Sequence, residues 1–324
     1  MTVWRCASRS RGIARLGVSL AALVLCGAAS AQEGEGPRGQ INVSYQYSDE
    51  RDLIGAHATI PTDTFYTHLV DFEVDYALND RWSVSAGLPL ISRKAFDPNR
   101  THDPLGIVPP HTESEFIDDG QFHTYWQDLR LEGRYLALTE PFIVEPYIEL
   151  TIPASNYPFF ANAAVGQRLH KQEYGATLAY RPPFLNWYFS LRAGYVNAPS
   201  TLGVSIDGTR VFGQAIRFLN PRIALKIFFS SKHNKGLTVA PIDRTSEQWY
   251  YHDRMTRHNY LNVGIGADIA LSDRNSLNID WIKMPYAQDV FQLRKALNVT
   301  VSRAFGSATR SKRTRGGPRP SVND

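Results

Sequence analysis

The chain has very little cysteine and no apolar run long enough for a helical membrane protein. Of its 324 residues only Cys6 and Cys26 are cysteines, and both fall within the first 31. Without that segment nothing remains to form a disulfide, which excludes a crosslinked secreted scaffold. Beyond residue 31 no stretch approaches the roughly 18 apolar residues that a helical span needs. The signatures of P-loop, dinucleotide-binding, HExxH and CxxC chemistry are missing too, and no Gly/Ser/Pro-rich linker divides the chain.

What is present at the N-terminus is a leader. Arg5, Arg9, Arg11 and Arg15 precede the apolar run "LGVSLAALVLCGAASA", and Ala29 and Ala31 stand at A-x-A spacing. This predicts a signal peptide over 1–31, cleaved before Gln32. Leu25 is too large for the residue before a lipidated cysteine. Loss of the leader leaves 31 basic against 31 acidic residues. After Phe305 the chain holds Arg310, Lys312, Arg313, Arg315 and Arg319 against Asp324 alone, so the body carries 26 basic and 30 acidic residues. No nucleic-acid partner is expected of such a body.

Alternation with period two runs through the rest. "INVSYQY" separates Ile41, Val43, Tyr45 and Tyr47 from Asn42, Ser44 and Gln46, and "HLVDFEVDYAL" separates Val70, Phe72, Val74 and Tyr76 from Asp71, Glu73 and Asp75. "WSVSAGLPL", "DLRLEGRYLAL", "FIVEPYIELTI", "EYGATLAY", "WYFSLRAGYV", "RIALKIFF", "NYLNVGIGADIAL", "SLNIDWI" and "LNVTVSRAF" repeat it, with a weaker segment at "GLTVAPI". These read as about 12 strands. Their connections alternate in length. Short turns at "NDR", "TEP", "RPPFLN", "SSKHNKG" and "SDRN" separate long segments at 48–64, 92–124, 154–169, 197–220, 243–258 and 285–295.

Sorting loops by length onto opposite ends is the habit of an outer-membrane barrel with periplasmic turns, extracellular loops and both termini periplasmic. The less apolar face of each strand carries charges that a dry core could not hold, so the chain reads as inside out, with apolar residues facing lipid and charged ones a hydrated lumen. The fold class is therefore all-β, a transmembrane up-and-down antiparallel β-barrel of about 12 strands over 41–305. A short periplasmic segment over 32–40 precedes it, and a basic, disordered periplasmic tail over 306–324 follows it. Tyr47, Tyr66, Trp82, Tyr135, Tyr180, Trp187 and Tyr195 stand where interfacial girdles would place them.

Centring a hairpin on Thr139 and Glu140 sets Arg130 opposite Glu149, Arg134 opposite Glu145 and Glu132 opposite Tyr147. Arg130, Glu132, Arg134, Glu145 and Glu149 are thus candidates for a lumen constriction, with Asp71, Glu73 and Asp75 as an acidic ladder elsewhere on the wall. Arg192, Lys226, Asp268 and Asp280 point inward by parity. Phe305, closing the last strand, is the candidate signal for the barrel-assembly machinery. A lipid hydrolase is a competing class, but no histidine stands two residues before a serine on a strand with Asn-Gly following, and "KHNKG" at His233 lacks the nucleophile. His252, Asp253 and His258 are ligand types, yet spacing alone builds no site. Catalysis, cofactor and metal are not expected.

Over most of the mature chain "WSVSAGLPLISR", "YWQDLRLEGRYLAL", "PYIELTIPASNY", "LRAGYV" and "YLNVGIGADIALSDRNSLNIDW" resemble, in their order, the outer-membrane barrel family named for the meta-cleavage pathway of phenol degradation. Gln127 replaces that family's usual glycine, and "IPASN" its Pro-Thr-Gly. The resemblance implies a porin-like barrel of about 12 strands that takes up small compounds, aromatic or hydrophobic ones among them. The expected partners are outer-membrane lipid, the assembly machinery and a small solute, with the oligomeric state left open. The alternative from another class is a non-conducting structural or adhesion barrel whose loops bind an external partner.

Overall fold

A computed structural model describes residues 38–55, 59–98, 102, 116–139, 141–238, 243 and 245–306. The leader, Glu140 and the tail beyond Gly306 lie outside the described residues. Fourteen strands follow one another: β1 (Gly39–Ile54), β2 (Thr59–Ile60), β3 (Phe65–Ala77), β4 (Trp82–Phe96), β5 (Asp119–Trp126), β6 (Asp128–Tyr135), β7 (Phe142–Pro153), β8 (Lys171–Tyr180), β9 (Trp187–Asn197), β10 (Gly208–Asn220), β11 (Ile223–Asn234), β12 (Asn259–Ala270), β13 (Asn275–Gln288) and β14 (Val290–Phe305). Among the described residues one helix, α1 (Glu247–Met255), lies between β11 and β12.

β5 and β6 are two halves of one stave, broken at Gln127 and both paired with β4, and β2 is a two-residue flap on β1. That leaves twelve staves, each antiparallel to the next. β14 returns to pair with β1 from Gly39↔Phe305 to Ile54↔Val290, so the sheet closes into a barrel. The outward set is apolar and uncovered: Ile227 and Ile265, directly opposite on β11 and β12, are 60% and 58% exposed. A row of such residues around a closed barrel requires a lipid solvent.

The short connections β3–β4, β6–β7, β8–β9, β10–β11 and β12–β13 lie at one end. Three of them share a device: Asn79 Oδ1 accepts from Arg81 N and Trp82 N, Asn220 Oδ1 from Arg222 N and Ile223 N, and Ser272 Oγ from Arg274 N and Asn275 N. A short polar side chain that caps the next strand's amides makes a tight reversal. Aromatic pairs ring this end, with Trp82 4.9 Å from Tyr135, Phe142 4.6 Å from Tyr180 and Trp187 5.8 Å from Phe189.

Three expectations are corrected. The stave absent from the sequence reading is β10, which lies inside 197–220, whereas "GLTVAPI" forms no strand among its described residues and only an isolated bridge from Leu237 to Thr256. The inward face of β10 carries Phe212 and Ile216 beside Arg210 and Gln214, which blurs the alternation. Restoring β10 moves "SSKHNKG" from a short turn to the end of β11, beside the long loops. Finally, 285–295 is no loop: β13 and β14 run through it, and Asp289 alone makes the reversal at φ 55°.

Candidate functional site

The charged set on the inner wall joins side chains from β3 to β10. Arg130 bonds Asp71 at 2.5 Å and lies 3.8 Å from Glu73. Arg134 bonds Asp75 at 2.5 Å and Glu132 at 3.3 Å. Glu132 also meets Arg192, which lies 3.8 Å from Glu149, and Arg210 bonds Glu173 at 3.0 Å while lying 4.0 Å from Glu149. From Asp75 through Arg134, Glu132, Arg192, Glu149 and Arg210 to Glu173, charges alternate in sign along one chain of contacts. Two buried carboxylates of the chain, Glu132 and Glu173, each meet a guanidinium group.

The hairpin register differs from the expected one by two residues. Arg130 faces Thr151, Arg134 faces Tyr147, and Glu132 faces Glu149. The turn is displaced toward Pro141, with Leu138 bridging Val144. Parity survives a two-residue slip, so the same side chains face inward, but Glu132 and Glu149 now repel and need the cation that Arg192 supplies from β9. Asp71, Glu73 and Asp75 are not a ladder elsewhere on the wall: Asp71 and Glu73 serve Arg130, and Asp75 serves Arg134. Among the described residues Glu145 has no ion-pair partner. Lys226 lies 2.9 Å from Asp280 and 3.7 Å from Asp268, a separate triad on β11 to β13.

Tyr147 fixes the middle of the chain. Its hydroxyl donates to Glu173 at 2.7 Å, and the Arg192 guanidinium sits 3.6 Å from its ring centre. The ring lies across β8 and β9 because Gly175 and Gly194, paired with each other, present no side chain there; a Cβ on Gly194 would fall 2.2 Å from the tyrosine oxygen. Beside the charges, Phe212 of β10, paired across the strands with Arg192, meets Phe228 of β11 at 6.1 Å. One cavity of about 550 Å³ has Glu73, Asp75, Arg130, Arg192 and Phe212 in its lining, together with Ser230 and Tyr260. Residues of so many staves can share a cavity only from inside the barrel. Glu173, Arg210 and Tyr147 were missed in the sequence. Arg210 stood in an unrecognised strand, and Tyr147 was read as Glu132's partner with no role of its own.

The loop end is crossed by segment 154–170, which folds into the mouth. Tyr157 packs with Ile91 and Val165 against Leu69 and Tyr125, while Ala161 and Ala163 join Phe65, Ala95 and Ile117, with Phe291 alongside. Helix α1 meets this segment from another side: Phe159 and Phe160 pack on Tyr250, flanked by Trp249 and Tyr251. Gln127 and Asp128 at the stave break hold the segment: Gln127 accepts from Ala154 N and donates to Val165 O, and Asp128 accepts from the Tyr157 hydroxyl. Burial, reinforced by Asp128, raises the Tyr157 phenol well above its ordinary value. Two residues after the helix, Arg257 bonds the wholly buried carboxylate of Asp289.

Two groups of ligand-type atoms lie beside this segment, His102 with His252 and Asp253, and Asp97 with His102 and Asp118. Burial works against the charged form of His102, but the Asp118 hydrogen bond and the nearby Asp253 and Asp97 carboxylates prevail and raise its pKa. His258 is not in either group; burial and then Lys232, Lys171 and Arg93 hold it well below the usual histidine range.

These features define a closed, twelve-stave antiparallel β-barrel of the outer-membrane type. Its fold is similar to the crystal structure of an outer membrane channel from Pseudomonas putida F1, with a TM-score of 0.62 at 14% identity over 86% of this chain and 99% of that one. The NanC porin aligns with a TM-score of 0.44 at 10% identity, over 83% of this chain and 99% of that one. No protein-family model and no curated protein matches the sequence, so the resemblance to the meta-pathway family rests on the quoted motifs.

Proposed function

We propose that the chain is an outer-membrane channel for small molecules, aromatic and amphiphilic compounds among them, with both termini periplasmic. The carrying observation is the shared cavity, in which a chain of alternating charges lies beside Phe212. A hydrated charged wall orients polar groups, and an aromatic wall accepts an apolar body. The residues proposed to line the pathway are Asp71, Glu73, Asp75, Arg130, Glu132, Arg134, Glu145, Glu149, Arg192, Lys226, Asp268 and Asp280, joined by Glu173, Arg210 and Tyr147. The lid of 154–170 and α1 makes passage gated rather than open. Phe305 is proposed to present the strand end to the assembly machinery. Planar bilayers holding the purified protein test the reading: small, infrequent openings are expected, and larger ones after deletion of 158–164. Absence of both conductance and solute flux in the two proteins would overturn it.

A further inference from the structure

The lid joins three chain segments at a cluster that the transport reading leaves unused. His102 is buried between β4 and β5, and His252 and Asp253 stand near the end of α1. His252 Nε2 lies 3.2 Å from Asp253 Oδ1, and His102 Nε2 lies 4.0 Å from Asp253 Oδ2. The two imidazole rings are nearly parallel, with centres 5.3 Å apart.

What sets the cluster apart is how each ring is held. His252 Nδ1 is 2.5 Å from the Trp249 carbonyl oxygen, which can only accept, so Nδ1 carries the hydrogen. His102 Nδ1 is 3.4 Å from Asp118 Oδ2. Asp118 is itself fully buried and accepts from Ala163 N at 2.7 Å and Asn162 N at 3.0 Å. An oxygen acceptor behind Nδ1 fixes the tautomer that turns the Nε2 lone pair forward. Both Nε2 atoms then face the same carboxylate, an arrangement of lone pairs and negative charge that a cation between them would satisfy.

We propose that His102, His252 and Asp253 bind a divalent transition-metal ion, with Asp118 and the Trp249 carbonyl orienting the two rings. Two imidazole nitrogens and a carboxylate oxygen suit zinc, which leaves one position of a tetrahedron for water. The ligand atoms already lie within 4.8 Å of one another, and tetrahedral zinc would draw them to about 3.3 Å. The ion would tie α1 to the β4–β5 connection. Because Asp253 also accepts from Ala161 N at 3.1 Å and Asp118 from Asn162 and Ala163, it would clamp segment 154–170 between them. The site stands independently of whether the barrel conducts.

The test uses the full chain in detergent, stripped with a chelator and titrated with zinc chloride at neutral pH by calorimetry, with cobalt absorption as a geometric readout. One ion per barrel and a tetrahedral cobalt spectrum are expected. His102→Ala and His252→Ala should each abolish the tight phase, and Asp118→Asn should weaken it about 10–100-fold. His233→Ala, at an exposed histidine on β11, should leave it intact. Heat-modifiable gel migration confirms that each variant keeps its barrel. No binding by the wild-type protein, or equal binding by all variants, overturns the proposal.

Discussion

Arg192 on β9 reaches Glu132 on β6 across two intervening strands, and its guanidinium rests 3.6 Å from the centre of the Tyr147 ring on the way. The contact holds the one place where the β6–β7 register sets two carboxylates face to face. In Arg192→Ala, Glu132 keeps Arg134 but Glu149 keeps only the distant Arg210. The expected cost is about 2 kcal/mol, below that of a fully buried pair because one partner remains. Urea unfolding in detergent should show that loss, and reversal potentials should move toward cations. An unchanged ion preference would remove Arg192 from the proposed pathway.

Gly194→Ala tests the geometry beneath that contact. The added methyl would lie 2.2 Å from the Tyr147 oxygen and 2.8 Å from Glu173 Oε1, so the ring must leave its seat. A loss of about 1–3 kcal/mol is expected, together with the selectivity change of Arg192→Ala. Gly133→Ala is the matched control, since nothing lies within 4 Å of a Cβ there. Equal behaviour of the two variants would refute the close-approach role of Gly194.

The barrel was legible because the strands of a lipid-facing sheet repeat one simple rule, and parity alone turned Asp71, Arg130 and Glu149 inward. Ion-pair partners were not legible. They depend on register, which differs by two residues from the centred hairpin, and on side chains that pass over intervening strands, as Arg192 does; a sequence shows neither. β10 escaped because Phe212 and Ile216 face the lumen, where the rule expects polar residues. The lid lay beyond reach altogether. Phe159, Tyr157 and Ala163 sit in a loop without periodicity, and their burial comes from contacts with β3, β4 and α1, far away in sequence.

Arg257 and Asp289 latch the helix-bearing loop to the β13–β14 reversal. The Asp289 side chain has no exposed surface, and Thr238 donates a second bond to it at 2.9 Å. Arg257→Ala should therefore cost about 3 kcal/mol, the usual order when one partner of a buried pair is removed. Arg257→Lys should recover part of it, because a point charge cannot reproduce the guanidinium geometry. Hydrogen exchange over 245–258 reads the effect directly; protection equal to the wild type would rule out the latch.

Tyr157→Phe probes the lid's seat at the stave break. The hydroxyl donates to Asp128 and accepts from Arg168 N at 2.9 Å, and its removal leaves both without that partner. A penalty of about 1–3 kcal/mol on the closed lid is expected. Each 1.4 kcal/mol corresponds to roughly a tenfold change in equilibrium, so openings in a bilayer should become roughly tenfold more frequent while the barrel's thermal stability changes little. Unaltered opening frequency would mean that Tyr157 does not restrain the lid.

Phe305 separates strand from tail, and the seam it closes explains why the strand ends there. Its ring covers Gly39, where a Cβ would lie 2.4 Å from the ring, and it stacks on Tyr76 at 6.4 Å. Its carbonyl accepts from Arg38 N at 3.1 Å. The β1–β14 pairing joins the two ends of the barrel sequence, the contact with the largest loop-closure cost, so its outermost pair gains most from a large side chain on a glycine. Phe305→Ala should lower the heat-modifiable, folded fraction in membranes. Removal of 307–324, which lies beyond this pair, should leave that fraction unchanged. If the truncation impaired folding as much as Phe305→Ala, the closing function would belong to the tail, and the seam at Gly39 would be an incidental contact.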